Sequence, residues 1–228
     1  MAYFLANALD MYTRTQLLME HRATGYKEEL KDYDPNSYAQ YKGRYFSNLT
    51  PKVLEIITPI IDKELGQGTW KIDSGNFFDT KVPYRIHTDT GLPDPSPWKT
   101  FVFPLKVFAG TSYNAAKNSL YVLNQRWYGP AAFFVKGSTD VQEEYNKVVT
   151  DYTDVAELDK GFDEDLIADC SHLPRSNFEG LTVKQRFEWK PGNVFVFDRR
   201  HLHVASNFLQ AGAHSKIGLS VFTSAVED

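Results

Sequence analysis

Nine short runs rich in β-branched and aromatic residues follow one another through the chain after Gly68. They lie at 70–78, 84–88, 100–108, 119–128, 132–135, 182–189, 193–198, 202–208 and 216–223, and Gly, Pro, Asn and Asp punctuate them. Parallel strands need a crossover of a dozen or more residues between them, usually a helix. Short strands separated by turn residues, with no alternating helices, predict instead an antiparallel sandwich or barrel. An aromatic share of 14% suits the pleated, half-buried surfaces of such a fold.

The first 68 residues read differently. Residues 8–21 carry Leu9, Tyr12, Leu17 and Leu18 between polar positions, an amphipathic helical pattern. Residues 51–65 are clearer: Thr50 suits an N-cap, Pro51 a first helical position and Gly66 a stop. Val53, Ile56, Ile57, Ile60 and Ile61 then form one apolar stripe, and Pro59 inside it predicts a kink or break. The tyrosine-rich stretch 26–46 has no clean period and reads as packed loop and short helix. Residues 137–175 are polar and acidic, with Glu143, Glu144, Asp151, Asp154, Asp163, Glu164 and Asp165. They read as an insertion over one end of the sheet, partly helical around 141–149, serving as a solvated surface or lid. The expected organisation is a single domain over 1–228: helical support at 1–68, a β core at 69–136 and 177–228, and an insertion at 137–176.

Composition narrows the function. At 228 residues the chain can bury one substantial core. A net charge of −4 and a pI near 5.9 argue against a general nucleic-acid or anionic-membrane binder. Cys170 is the single cysteine, so no intramolecular disulfide forms. No run approaches the about 18 apolar residues of a membrane span, and Met1 to Leu9 lack the positive region of a secretory signal. The expectation is a cytoplasmic protein.

The chemistry gathers at three places. In His87-Thr88-Asp89 the histidine and carboxylate project to one face of an extended segment. Chance alone supplies roughly 0.4 such His-x-Asp tripeptides in a chain of this composition, so its company has to decide. Downstream, the turn Pro191-Gly192 opens an apolar strand that runs into Asp198-Arg199-Arg200-His201-Leu202-His203. One of these histidines added to the first pair makes a two-histidine, one-carboxylate facial triad, which leaves metal positions open for a cosubstrate and dioxygen on iron(II). His201 and His203 share parity, so the pleat alone does not choose between them. In the last strand Ile217, Leu219 and Val221 form an apolar face, while Lys216, Gly218 and Ser220 form the other.

These stretches, in this order, resemble the iron(II)- and 2-oxoglutarate-dependent dioxygenases, a family built on a double-stranded β-helix (jelly-roll) core. The resemblance implies a mainly β fold with the N-terminal helices packed on the major sheet. It frames the apolar strand as closing on Phe-Asp-x-Arg-x-x-His, which puts the distal ligand at His203 beside His87 and Asp89. It implies that Lys216, thirteen residues on, meets the far carboxylate of 2-oxoglutarate. Many members carry arginine with a serine two residues later, whereas this chain has lysine and Gly218. Lysine is a point charge without the bidentate fork, so carboxylate binding calls for a further donor, and Ser220 is the nearest hydroxyl. Tyr84 and Asn76, on funnel-lining segments, are further candidates for contacting 2-oxoglutarate, and Asn124 and Arg126 for contacting 2-oxoglutarate or substrate. Asp89 stands where halogenating members carry a small residue. The implied reaction is hydroxylation of a C–H bond in a small-molecule or peptide substrate, with release of succinate and carbon dioxide. Two other readings share these residues: a non-catalytic jelly-roll binding module, and an iron oxygenase that does not use 2-oxoglutarate. Cys170-Ser171-His172 lacks an orienting third group for a thiol nucleophile.

Overall fold

Local sequence signals set the ends of both long helices. In a computed structural model, which describes residues 1–24, 27–28, 44–89, 97–126 and 162–226, helix α1 (Met11–Ala23) starts where the Asp10 carboxylate accepts the Thr13 amide at 2.7 Å. Helix α2 (Pro51–Leu65) starts at Thr50, whose hydroxyl accepts the Val53 amide, and stops at Gly66, which takes a φ of 90°. Pro59 does not break it. Val53, Ile57 and Ile61 are fully buried on one face of α2, and that packing offsets the hydrogen bond the proline forgoes.

Among the described residues, ten strands form two antiparallel sheets. They are β1 (Ala2–Leu5), β2 (Lys27–Glu28), β3 (Arg44–Asn48), β4 (Trp70–Thr80), β5 (Pro97–Ala109), β6 (Ser119–Arg126), β7 (Val183–Glu188), β8 (Val194–Asp198), β9 (His201–Ala205) and β10 (Ala213–Ala225). The major sheet has the order β1-β8-β5-β10-β4-β3-β2 and the minor sheet β7-β6-β9. The architecture is the expected mainly β jelly roll with helices on the major sheet. Two extended elements lie within the stretch read as loop and short helix, because β2 and β3 extend the edge of the major sheet beside β4. The segment 84–88 is not a full strand; it joins the sheets through a single bridge, His87 to His203. The runs at 132–135 and 141–149 lie outside the described residues.

Strand alternation sorts the side chains into three layers. Ile217, Leu219 and Val221 of β10, with Phe101, Phe103, Val194 and Val196, pack outward against Leu17 of α1 and Val53, Ile57 and Ile61 of α2. Val102, Phe195 and Phe197 point inward and meet Leu120, Val122, Phe187 and Trp189 from the minor-sheet side. The outer face of the minor sheet is covered by the described end of the acidic segment: helix α3 (Glu164–Asp169) and the turns after it bury Leu166, Cys170, Leu173 and Phe178 against Tyr121, Leu123, Leu202 and Val204. The polar face of β10 therefore looks into the space between the sheets, among apolar walls.

Candidate metal centre

Beyond β4 the chain dips between the sheets, and three backbone hydrogen bonds fix how far. His87 and His203 exchange two of them at 3.0 and 2.9 Å, and the Asp89 amide donates to the Arg199 carbonyl at 3.1 Å. This register puts the His87 and His203 rings 4.1 Å apart and brings Asp89 to both. His203 Nε2 lies 3.5 Å from Asp89 Oδ2, and His87 Nε2 lies 3.8 Å from Oδ1. One donor atom from each of the three residues falls within 4.8 Å of the others, a spread that a single ion spans.

The tautomers suit that role. His87 Nδ1 faces the Arg85 carbonyl at 2.9 Å, and His203 Nδ1 faces the His201 carbonyl at 3.0 Å. A carbonyl only accepts, so each Nδ1 donates its proton there, and each Nε2 is the ring nitrogen turned toward Asp89. Two imidazole lone pairs and a carboxylate thus converge with their orientations set from behind.

The carboxylate is held as firmly. Thr100 Oγ1 donates to Asp89 Oδ2 at 2.7 Å. Arg199, 5% exposed, donates from Nε and Nη2 to the Asp89 carbonyl at 3.3 and 3.1 Å, and from Nη1 to the Thr223 carbonyl and the Asp73 carboxylate. Ser224 completes the chain by donating to Asp73 at 2.6 Å. The ligand-bearing backbone is therefore tied to β4 and β10. Thr100 is a contact that sequence reasoning did not assign; Arg199, one of two arginines after Asp198 that read as an anion-binding, surface or supporting charge, supports the Asp89 backbone.

His203, not His201, meets His87 and Asp89. His201 is fully buried, its Nε2 lies 3.4 Å from Arg126 Nε, and burial pulls its pKa down to about 4. Its contribution to the centre is the carbonyl that orients His203. Arg126 also stands 3.6 Å from Asp198. Asn124 is spent on Thr182, to whose hydroxyl it donates at 2.9 Å.

Lys216 is buried on the inward face of β10, and its Nζ has no hydrogen-bond partner among the described residues. The ammonium sits 4.1 Å from the centre of the Trp189 ring and 4.9 Å from that of Phe208. Desolvation there pulls its pKa down to about 7. A buried cation without an anion is costly, so this position suits a ligand carboxylate. Ser220 and Asn76 are direct cross-strand partners, both half-buried. Four residues of extended strand put Ser220 about 13 Å from Lys216, too far for the two to share one oxygen. Tyr84 packs its ring edge-on against His87 at 4.6 Å. Cys170 and His172 are structural: burial pushes the thiol well above its usual range, and His172 Nε2 donates to the Tyr84 carbonyl at 3.2 Å.

No protein-family model and no curated protein matches the chain in sequence. Solved structures do match in fold. A 2OG-Fe(II) oxygenase family oxidoreductase from Burkholderia pseudomallei aligns over 98% of this chain and 84% of its own, with a TM-score of 0.53 and 11% identity. HygX from Streptomyces hygroscopicus, solved with nickel and 2-oxoglutarate bound, aligns over 98% and 82%, with a TM-score of 0.52 and 8% identity. The epimerase SnoN, solved with Fe3+, alpha ketoglutarate and nogalamycin RO, aligns over 98% and 78%, with a TM-score of 0.54 and 11% identity. The chain thus shares the fold of these solved structures.

Proposed function

We propose that the chain is an iron(II)- and 2-oxoglutarate-dependent oxygenase in which His87, Asp89 and His203 hold the metal and Lys216 meets the far carboxylate of 2-oxoglutarate. The observation that carries this reading is the pairing of two features inside one jelly roll. Three convergent donors in the right tautomers stand between the sheets, and a buried ammonium without a hydrogen-bond partner among the described residues projects from β10 into the same interior. When bound, the metal and 2-oxoglutarate supply oxidative decarboxylation to succinate and carbon dioxide together with hydroxylation of a substrate C–H bond.

The chain's own residues bind, orient and exclude water. The backbone carbonyls of Arg85 and His201 keep the protons on Nδ1, so neither imidazole has to lose one to become a ligand. Thr100 holds one Asp89 oxygen and leaves the carboxylate free to turn the other to the metal. Val102, Phe195 and Phe197 make the inner wall apolar, which strengthens the electrostatic attraction between Lys216 and an incoming carboxylate. HygX and SnoN, which share the fold, bear on a small-molecule substrate for this chain, and SnoN acts as an epimerase on the same scaffold.

The test is succinate formation from 2-oxoglutarate with iron(II) and oxygen, alongside mass analysis across a panel of metabolites and peptides. The expected result is iron-dependent succinate, together with a gain of one oxygen in a substrate. Full succinate production by a folded Asp89→Ala protein would overturn the assignment.

A further inference from the structure

On an extended strand the residue two positions from a carboxylate anchor shares its face, about 6.6 Å away, and is the natural place for a second donor. Here that position is Gly218, and a side chain does not fit it. A Cβ at Gly218 would meet Phe78 Cζ at 2.5 Å and Trp189 Cζ2 at 3.0 Å. The space is filled by Phe78 and by Trp189, which packs edge-on against Phe78 and Phe195. Cζ2 and Nε1 are bonded to the same ring carbon, so the edge that faces Gly218 is the N–H edge. The ring centre of the same indole lies 4.1 Å from Lys216 Nζ.

Two buried donors therefore sit side by side on the inner wall, the ammonium over the indole face and the N–H on the ring edge toward Gly218. Trp189 is 3% exposed, and neither its Nε1 nor Lys216 Nζ has a hydrogen-bond partner among the described residues. Leaving a buried donor unpaired is costly, and two beside each other ask for one shared acceptor. Among the described residues, Lys216 couples electrostatically to Cys170 and His172, and burial disfavours the charged form of both. The acceptor is thus not an ionised group of these elements. Resting on the function proposed above, we infer that the Trp189 indole N–H is a second donor to the far carboxylate of the cosubstrate: Lys216 supplies charge and Trp189 supplies direction. The tryptophan takes the place that a hydroxyl-bearing residue at 218 would otherwise fill.

The experiment compares Trp189→Phe with the unaltered protein, loaded with Mn(II) without oxygen, by calorimetric titration. The probes are 2-oxoglutarate and 2-oxobutyrate, the second lacking the far carboxylate. Phenylalanine keeps an aromatic wall, removes the N–H and is smaller than the indole by its pyrrole ring. The inference expects 2-oxoglutarate to bind roughly ten-fold or more weakly in the variant, and 2-oxobutyrate to bind the two proteins alike. Equal 2-oxoglutarate affinities would overturn it, as would equal losses for both probes. If the unaltered protein binds no 2-oxoglutarate at all, the proposed function fails with it. A readout that needs no variant to fold is the indole N–H spectrum of the Zn(II)-loaded protein, which has four tryptophans. One indole resonance should move downfield on adding 2-oxoglutarate and stay in place on adding 2-oxobutyrate; no movement with 2-oxoglutarate would count against the inference.

Discussion

Lys216 carries the most consequential electrostatics in the molecule. Its ammonium is held near pKa about 7 by burial, against 10.5 in an unfolded chain. Below about pH 7 the site is charged before a carboxylate arrives; above it, binding has to take up a proton. Affinity of the metal-loaded protein for 2-oxoglutarate should therefore fall as pH rises from about 6 to about 8, approaching ten-fold per unit above the pKa. Titrations at several pH values check this, with 2-oxobutyrate as the flat control. The same shift acts on folding with the opposite sense. Between about pH 7 and 10.5 the unfolded chain binds the extra proton, so stability rises with pH across that window. Lys216→Met should accordingly raise the urea midpoint at neutral pH while abolishing tight 2-oxoglutarate binding. The two histidines of β9 separate as cleanly. His203→Gln should lose Mn(II) binding by equilibrium dialysis, whereas His201→Gln should retain it, because only His203 turns Nε2 toward Asp89. Arg199→Met should weaken the metal about 10- to 100-fold through the Asp89 backbone it holds, without touching the metal itself.

At the scale of elements, β10 does two jobs on alternate residues. Ile217, Leu219 and Val221 anchor the helices, while Lys216 and Gly218 face the site. Gly218→Ala should destabilise by about 1–3 kcal/mol through overpacking against Phe78. Ile57→Ala, in α2 on the far side of the same sheet, should cost about 2–5 kcal/mol. Urea denaturation reads both. Helix α2 was legible to the residue because Thr50, Pro51 and Gly66 mark its ends by local chemistry. The effect of Pro59 was not, since the packing of Val53, Ile57 and Ile61 of the same helix against the distant strands of the major sheet decides it. Strands β1 to β3 were missed for a related reason: they are two to five residues long and take their shape from β8 and β4, not from a pattern of their own.

For the whole molecule, turn residues between short strands were enough to predict two antiparallel sheets, because backbone pairing leaves few other ways to bury such runs. The order of His87, Asp89, His203 and Lys216 was legible as well. What sequence could not carry is contact across the barrel. Trp189 is 27 residues from Lys216 and Thr100 is 11 from Asp89, and nothing in their neighbours marks either as part of a site. Parity left His201 and His203 equal; the single bridge at His87 puts His203 beside it. The central claim is that one interior holds both a metal and 2-oxoglutarate, and binding of 2-oxoglutarate to the apo- and Mn(II)-loaded protein tests it most directly. The account predicts stoichiometric binding that needs the metal and is lost in both Asp89→Ala and Lys216→Met with the fold intact. Binding that is independent of the metal, or unchanged in both variants, would contradict it.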